Sequence, residues 1–430
     1  MGGDPLAGLG AGIDGTIDIF ADPGNTRVIL FTLVIGSLIA VVEHSGGVRG
    51  LVRWLETHRW VNNARRAQLL AWMMGVVVFI ESNITLMVAG TVSRPLFDRF
   101  RISREKLAYL IDSTSAPICI LIPLNAWGAF NIGLLSSTGV DNALEVFVHS
   151  IPLNLYPITA VLLAGVSVFI PAEFGPMAKA QARTEAGNLL WPGATPMMDQ
   201  ALLAQETDKR ATPRASAMAL PIIAMIVAMP VSLMITGNGN LIRGSGSTSV
   251  LWSVLIGLGT AWILALVRRT HSADELTRIS LQGAGGLVPV AAILMFAMAL
   301  GDVTKSLDAG LYIAGFIHDT LPLYLLLPGI FLASALIAFS TGTSWGTFAI
   351  MIPMAVPIAI ALEMPPAPFL AAVLSGAVFG DHTSPISDTT IVASMASATD
   401  HIDHVRTQLP YALLGGAVSL LGFAIMGVWL

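Results

Sequence analysis

A polar run, Gly380-Asp381-His382-Thr383-Ser384-Pro385-Ile386-Ser387-Asp388-Thr389-Thr390, interrupts an apolar stretch over 367 to 398. A second run, Asp112-Ser113-Thr114-Ser115-Ala116-Pro117, interrupts another apolar stretch over 107 to 136. An ionised carboxylate at membrane depth is costly unless it is paired, solvated or bound to a cation. Irregular backbone is tolerated there only where it lines a protein-enclosed polar cavity. The two runs therefore predict broken membrane helices around a polar centre.

The composition agrees with a membrane protein. Of 430 residues, 54% are apolar and only 11% charged, and the mean hydropathy is +0.75, whereas soluble domains carry roughly 25% charged residues. The other apolar stretches, each long enough to cross or re-enter a bilayer, are 28 to 46, 68 to 92, 146 to 170, 216 to 236, 249 to 267, 284 to 301, 321 to 362 and 409 to 430. The sequence thus predicts one all-α polytopic membrane protein. Its single cysteine argues against a disulfide framework or a Cys-based metal site, and its net charge of -5 disfavours nucleic-acid binding.

Two stretches are predicted to be re-entrant hairpins. The stretch 68 to 92 has Glu81-Ser82-Asn83 at its centre and basic residues at both ends, and the stretch 321 to 362 has a Ser340 to Gly346 polar centre with no Lys or Arg at its flanks. If the other eight stretches cross the membrane, 19 of the 22 Lys and Arg residues fall in inside loops. This bias predicts an outside N-terminus by the positive-inside rule.

A hairpin followed by a polar run occurs twice in the chain, about 260 to 270 residues apart. The two copies are predicted to cross the membrane in opposite directions. Inverted repeats with broken helices are a recurrent transporter architecture. We therefore expect an N-terminal segment (1–26), a first inverted repeat (27–170), a cytoplasmic linker with connecting helices (171–283) and a second inverted repeat (284–430).

The carboxylates and hydroxyls of these segments suit ion transport. A buried carboxylate can hold a proton or a sodium ion in turn, and hydroxyl and amide oxygens are hard ligands for a small cation. Pseudo-symmetry predicts two sodium sites, one at Ser82, Asn83, Asp112 and Thr114 and the other at Thr341, Thr343, Asp381 and Thr383. The full candidate set for ions or substrate is Glu81, Ser82, Asn83, Asp112, Ser113, Thr114, Thr341, Thr343, Ser344, Asp381, His382, Thr383, Ser384 and Asp388.

Some of these residues carry more specific predictions. Glu81 lies too deep to reach either interface, so it is predicted to face the cavity, either as the coupling acid or as a substrate-binding group. The alternative is a structural pair with a cationic side chain such as an Arg on a neighbouring helix. Helical spacing from Ser384 predicts Asp388 on the same face, as a second titrating carboxylate. His382 could shuttle a proton or form a structural hydrogen bond. The group His401, Asp403, His404 and Arg406 is predicted to be a solvated cytoplasmic cluster.

The run 380 to 390, with its continuation Asp400-His401-Ile402-Asp403-His404-Val405-Arg406-Thr407-Gln408-Leu409-Pro410-Tyr411, resembles the NhaC-type sodium/proton antiporter family of the ion-transporter superfamily. Further matches are Ser340-Thr341-Gly342-Thr343-Ser344-Trp345-Gly346-Thr347, Arg94-Pro95-Leu96, and Ser103-Arg104-Glu105-Lys106-Leu107-Ala108-Tyr109 leading into Asp112. The resemblance implies a bacterial inner-membrane secondary transporter, not an enzyme. It also implies a homodimer in which a mobile transport domain carries both hairpin tips beside a scaffold domain.

The resemblance leaves two functions open. The first is elevator-like sodium/proton antiport, with sodium as the coupling ion and no other cofactor. The second is sodium-coupled transport of a small polar organic solute, a carboxylate or an amino acid. The family usually has two aspartates after Phe-Phe at the first hairpin, and this chain has Phe79-Ile80-Glu81-Ser82-Asn83 instead. The loss of one carboxylate favours the second function.

Overall fold

The computed structural model describes residues 13–47, 50, 61–79, 82–170, 173–196, 214–240, 244–288, 291, 292, 294–296, 298, 299 and 322–429. No β-strand occurs among these residues. Their helices include α1 (Pro23–His44), α2 (Ala64–Val77), α3 (Ser82–Arg99), α4 (Arg104–Leu121), α5 (Ala126–Ser136), α6 (Ala143–Ser150), α7 (Leu155–Phe169), α8 (Gly175–Glu185), α9 (Ser216–Thr236), α10 (Gly246–Val267), α11 (Ala273–Gly286), α12 (Leu326–Thr341), α13 (Ser344–Ala361), α14 (Pro366–Thr383), α15 (Asp388–Ser397) and α16 (His401–Trp429).

The lengths and compositions of these helices confirm an all-α polytopic membrane protein. Within the described part of the chain, α1, α9, α10, α13 and α16 are each long and apolar enough to cross a membrane. Two further pairs, α4 with α5 and α6 with α7, pass the same test only when joined and are bent by 42° and 44°, as a broken span or a re-entrant loop would be. The predicted span 216 to 236 coincides with α9, whereas the span predicted to begin at 409 begins at His401.

Both predicted hairpin stretches are interrupted near their centres. Helix α2 ends at Val77 and α3 begins at Ser82, and α12 ends at Thr341 just before α13 begins at Ser344. The second interruption requires Gly342, which adopts a left-handed φ of 68°. A Cβ atom there would lie 2.5 Å from the carbonyl oxygen of Ile386, so this turn packs directly on the break between α14 and α15. That the two stretches re-enter the membrane without crossing stays a prediction.

The polar run at Asp112 is not itself a break, contrary to our expectation. Helix α4 continues through Pro117, which lacks an N–H donor, and ends at Leu121. The break follows at Pro123, and Asn125 then caps α5 by accepting a hydrogen bond from the Gly128 N–H at 2.9 Å. Ser and Asn are common N-cap residues and favour the start of a helix. Pro123 and Asn125 therefore indicate the position of this break in the sequence better than the hydroxyl residues beside Asp112 do.

The described helices pack in two groups. Helices α1, α9, α10 and α11 contact one another, and α1 approaches α11 so closely that a Cβ on Gly36 would lie 2.4 Å from the Gly283 carbonyl oxygen. Helices α2, α3, α4, α7 and α12 to α16 form the second group around the polar runs. Helices α5 and α6 contact members of both groups.

The first part of the predicted linker is packed against the second group. Arg183 of α8 forms hydrogen bonds of 2.7 and 3.0 Å to the two carboxylate oxygens of Glu105, which is fully buried. Lys106 pairs with Glu173 at 2.7 Å. A bidentate, buried pair positions its partners firmly, because leaving either charge unpaired would be costly. Residues 173–196 are therefore docked structure and not a free surface linker.

Candidate functional site

Asp381 is the centre of a cluster of hydroxyl groups. It lies in the last turn of α14 with 1% of its surface exposed. Its Oδ2 accepts a 2.8 Å hydrogen bond from Ser344 Oγ, and its Oδ1 accepts a 2.7 Å bond from Ser387 Oγ. Thr389 Oγ1 lies 3.5 Å from Oδ2. The carboxylate is therefore held by neutral donors from the first turns of two helices, α13 and α15, and no Lys or Arg of the described chain pairs with it.

Asp112 is a fully buried carboxylate in the middle of α4 with a different set of partners. Its Oδ2 accepts a 2.7 Å hydrogen bond from Gln408 Nε2. His404 Nε2 and Thr390 Oγ1 each lie 3.4 Å from the same oxygen. Its Oδ1 lies 3.9 Å from His382 Nε2. Two imidazoles beside one buried carboxylate form a group that can hold and transfer a proton.

The first turn of α15 touches both carboxylates. Ser387 caps this helix by accepting the Thr390 N–H at 3.3 Å, and it also donates to Asp381. Thr389 faces Asp381, whereas the next residue, Thr390, faces Asp112. A small displacement of this single turn would therefore change the environment of both acids at once.

Several buried polar atoms around Asp112 have no hydrogen-bond partner among the described residues. They are Asp112 Oδ1, His382 Nε2, His404 Nδ1 and Gln408 Oε1. The other ring nitrogen of His382 lies 3.2 Å from Tyr156 Oη. His382, Gln408 and Tyr156 also line a small cavity of about 10 Å³, close to the minimum for one water. Unpaired buried polar atoms are costly in a rigid core, so their concentration here leaves capacity to bind a water, a proton or an ion.

The structure separates the threonines predicted as sodium ligands from their aspartates. Thr114 donates to the carbonyls of Leu110 and Ile111, and Thr383 donates to those of Phe379 and Gly380. Each threonine lies two residues from its aspartate, which is about 200° around a helix. Both side chains therefore face away from the acids that they were expected to serve.

At the second hairpin tip, Ser344 alone of the three predicted residues contacts Asp381. Thr341 is exposed and donates to the Ile337 carbonyl, and Thr343 precedes α13 without a side-chain capping bond. Ser384 donates to the Phe339 carbonyl at 2.8 Å and so joins the end of α14 to α12. Its role is therefore to hold the tip near Asp381.

At the first hairpin, Ser82 and Asn83 begin α3. Ser82 is buried, and α3 packs against both α4 and α15. Ser113 lines the small cavity beside His382. Glu81, predicted as the coupling acid, lies outside the described residues, so its role stays a prediction.

The placement predicted for Asp388 is wrong. Ser384 is the C-cap of α14, whereas Asp388 is the first residue of α15. Helical spacing does not relate the two, because the chain is not helical between them. Asp388 is exposed, and its Oδ1 accepts the Thr389 N–H at 2.9 Å. Among the described residues, the Asp388 carboxylate forms no hydrogen bond with the side chains around Asp381 or Asp112, whereas Ser387 and Thr390 each contact one of these acids.

The predicted solvated cluster is also wrong in part. His404 is fully buried against Asp112. His401 places Nε2 2.7 Å from the Pro385 carbonyl oxygen and Nδ1 3.1 Å from Ser394 Oγ. Gln408 and Tyr156 were missed. The sequence contained a signal for Gln408. His404 and Gln408 are four residues apart, so they share one face of a helix, and this helix continues into an apolar span.

The oxygen ligands around Asp381 are of the kind that suits a cation, and the imidazoles beside Asp112 are groups that can take up a proton. A family model described as the Na+/H+ antiporter family matches residues 118–428. The chain therefore belongs to the Na+/H+ antiporter family, which confirms the predicted sodium/proton antiporter resemblance and the expectation of a transporter and not an enzyme.

The chain is also similar to individual proteins. An uncharacterized protein of Haemophilus influenzae is 34% identical over 426 residues, covering 94% of this chain and 79% of its own. The malate-2H(+)/Na(+)-lactate antiporter of Bacillus subtilis is 31% identical over 185 residues, covering 40% of this chain and 38% of its own. The YdaH transporter of Alcanivorax borkumensis has a similar fold, with a TM-score of 0.60 and 14% identity, covering 99% of this chain and 89% of its own.

Proposed function

We propose that this protein is a sodium/proton antiporter of the NhaC type, in which sodium binds at Asp381 and the exchanged proton is held at Asp112. The observation that carries the proposal is the first turn of α15, which contacts both buried carboxylates. Sodium and protons can be exchanged through one protein when occupation of one site changes the affinity of the other. A shared hydrogen-bonded turn supplies that connection.

The chemistry of the two sites supports this division of roles. Around Asp381, the carboxylate and the hydroxyls of Ser344, Ser387 and Thr389 supply several hard oxygen ligands, which suit a small cation. Around Asp112, the neighbours are His382, His404 and the amide of Gln408. Imidazoles accept and release protons near neutral pH and are less suited than oxygens to sodium.

The coupling follows from the direction of the hydroxyl hydrogen bonds. With Asp381 unoccupied by a cation, Ser387 and Thr389 donate to its carboxylate. A sodium ion bound beside the carboxylate would repel hydrogens directed at the same place, so these hydroxyls would turn their lone pairs toward the ion and their hydrogens away from it. The resulting shift of the first turn of α15 would move Thr390 relative to Asp112 and change how strongly that carboxylate holds its proton.

We further propose an elevator-like movement of the second helix group against the first. The group α1 and α9 to α11 would act as the scaffold, and the group around Asp112 and Asp381 would act as the transport domain. Its support is the sparse connection between the groups, made through α5 and α6. A homodimer in a bacterial inner membrane, with the inverted repeat and topology predicted above, completes this proposal.

Flux measurements in proteoliposomes test the proposal directly. An imposed sodium gradient should drive proton movement in the opposite direction, reported by an interior pH dye. Asp381→Asn should abolish this movement, and Asp141→Asn, which changes an exposed loop carboxylate, should retain it. Sodium-driven proton movement by Asp381→Asn at the wild-type rate would contradict the proposal.

A second candidate function is sodium-coupled transport of a small polar organic solute. The name of the Bacillus relative, malate-2H(+)/Na(+)-lactate antiporter, favours this second function, because malate and lactate are small organic acids. An aromatic cluster at the starts of α5 and α13 also favours this function. The ring centres of Trp127 and Trp345 lie 5.1 Å apart there. The buried Trp127 Nε1–H has no acceptor among the described residues, so it is available to a polar solute. Sodium-dependent uptake of radioactive malate or lactate would support this function over ion exchange alone.

A further inference from the structure

A second cavity lies away from the buried carboxylates, between the docked segment 173–196 and the start of α16. Its volume of about 400 Å³ falls within the range of small-molecule sites, roughly 300 to 1,000 Å³. Its walls include Lys179, Trp191, Asp400, Ile402, Asp403 and Arg406. Neither the ion sites nor the family membership accounts for it.

The walls of this cavity are fixed at both ends. At one end, Arg183 donates to the carbonyls of Asn188 and Leu189 at 3.0 and 2.9 Å, and its guanidinium lies 4.8 Å from the ring centre of Trp191. At the other end, Asp400 accepts hydrogen bonds from the N–H and the hydroxyl of Thr195 at 3.0 and 3.3 Å. The cavity is therefore a built feature of the fold and not a gap beside a loose loop.

The four charged residues of the cavity differ in their availability. Asp400 is occupied, because it also accepts the N–H groups of Ile402 and Asp403. Slight burial raises the pKa of Asp400, but these hydrogen bonds together lower it below its usual range. In contrast, the carboxylate of Asp403 accepts no hydrogen bond from the described residues, and Lys179 and Arg406 form no ion pair with them. One anionic and two cationic groups therefore remain to meet a ligand.

The wall of this cavity also has an apolar part, which lies beside the charged residues. Trp191, Pro192 and Ile402 add aromatic and aliphatic surface to the wall beside these charges. We propose that this cavity binds a zwitterionic amino acid with an apolar side chain, its ammonium group at Asp403, its carboxylate at Lys179 and Arg406, and its side chain against Trp191. Charge-assisted hydrogen bonds of this kind are the strong ones, and the bound ligand would join segment 173–196 to the helix that carries His404 and Gln408.

The test is equilibrium binding to the purified full chain in detergent, without sodium, so that its outcome is independent of the proposed ion exchange. The probes are L-leucine, isocaproate, which lacks the ammonium group, and isoamylamine, which lacks the carboxylate. Leucine should bind at least about tenfold more tightly than either analogue, since each lost charge pair is worth roughly 1.4 kcal/mol or more. Asp403→Asn and Arg406→Gln should each weaken leucine binding by a similar factor.

Arg278→Gln is the matched control, because Arg278 is an exposed arginine on α11 outside the cavity, and it should bind leucine as the wild type does. Thermal unfolding of each variant shows whether it is folded. Binding of isocaproate or isoamylamine as tightly as leucine would overturn the proposal, as would unchanged leucine affinity in both folded cavity variants or no leucine binding to the wild type.

Discussion

The helices that carry the two buried aspartates end in different ways. Helix α14 ends two residues after Asp381, and its break places the cap of the next helix, Ser387, directly on the carboxylate. Helix α4 runs on past Asp112 to Leu121. The cap at its break, Asn125, donates to the carbonyls of Phe79 and Cys119 and not to the acid.

This difference shows how one sequence pattern can serve two kinds of chemistry. Both breaks contain proline, one apolar residue and a capping residue, Pro123-Leu124-Asn125 and Pro385-Ile386-Ser387. At Asp381 the break itself supplies oxygen ligands, as a cation site requires. At Asp112 the partners are imidazole and amide groups from other helices, together with the Thr390 hydroxyl, and imidazole is a group that suits proton transfer. The comparison predicts unequal effects when each side is altered.

The largest effect is expected for Asp381→Asn. Loss of the carboxylate should weaken sodium binding by about 100-fold, roughly 2.7 kcal/mol, because the remaining hydroxyls carry no charge to offset that of the ion. Sodium-dependent thermal stabilisation and binding of radioactive sodium both measure this. Sodium affinity equal to that of the wild type would place the cation elsewhere and remove the contrast between the two breaks.

Asp112→Asn should produce a different defect. The hydrogen bond from Gln408 and the contact with Thr390 can be kept by an amide oxygen, so sodium should still bind within about threefold of the wild-type affinity. The variant should lose the dependence of sodium affinity on pH, since the proton-holding group is gone. If sodium affinity in the variant still falls on acidification as it does in the wild type, Asp112 does not hold the exchanged proton.

Thr390→Val should have a smaller effect, confined to the connection between the sites. Valine keeps the size of threonine but cannot donate to Asp112, and one neutral hydrogen bond is worth about 0.5 to 1.5 kcal/mol. We expect exchange to slow by about three- to tenfold with near-normal sodium affinity, and Thr390→Ser to restore the rate. Failure of serine to restore exchange would show that the methyl group and not the hydroxyl matters.

The smallest effect is expected for Asp388→Asn. Its carboxylate is exposed, and its recorded contact is with the N–H of the next residue in the same turn. Exposed substitutions of this kind usually change stability by about 0.5 kcal/mol or less, so exchange should change by less than about twofold. A loss comparable with that of Asp381→Asn would restore Asp388 as a functional carboxylate.

Hydropathy and the polar runs were sufficient to predict an all-α membrane protein and the interruptions of both hairpin stretches. The apolar runs predicted α9 to the residue, and the polar centres predicted the interruptions before Ser82 and Ser344. The carboxylates at membrane depth could be recognised from the sequence as candidate functional residues, because burying an ionised group there is energetically costly. Asp112 and Asp381 are indeed both buried.

The partners of those carboxylates could not be predicted in the same way. Proximity in sequence suggested Thr114 and Thr383, but side chains two residues apart lie on opposite sides of a helix. The true partner Gln408 lies 296 residues from Asp112 along the chain and reaches it only through the packing of α16 on α4. Such contacts depend on tertiary structure, which local periodicity does not encode.

The most direct test of the account is the number of protons released per sodium ion bound, measured by titration calorimetry in buffers of different ionisation enthalpy. The wild type should release protons on binding sodium. Asp112→Asn should bind sodium without releasing them, and Asp381→Asn should bind little sodium at all. Undiminished proton release by Asp112→Asn would contradict the account, and if Glu81→Gln then abolished that release, Glu81 and not Asp112 would be the coupling acid.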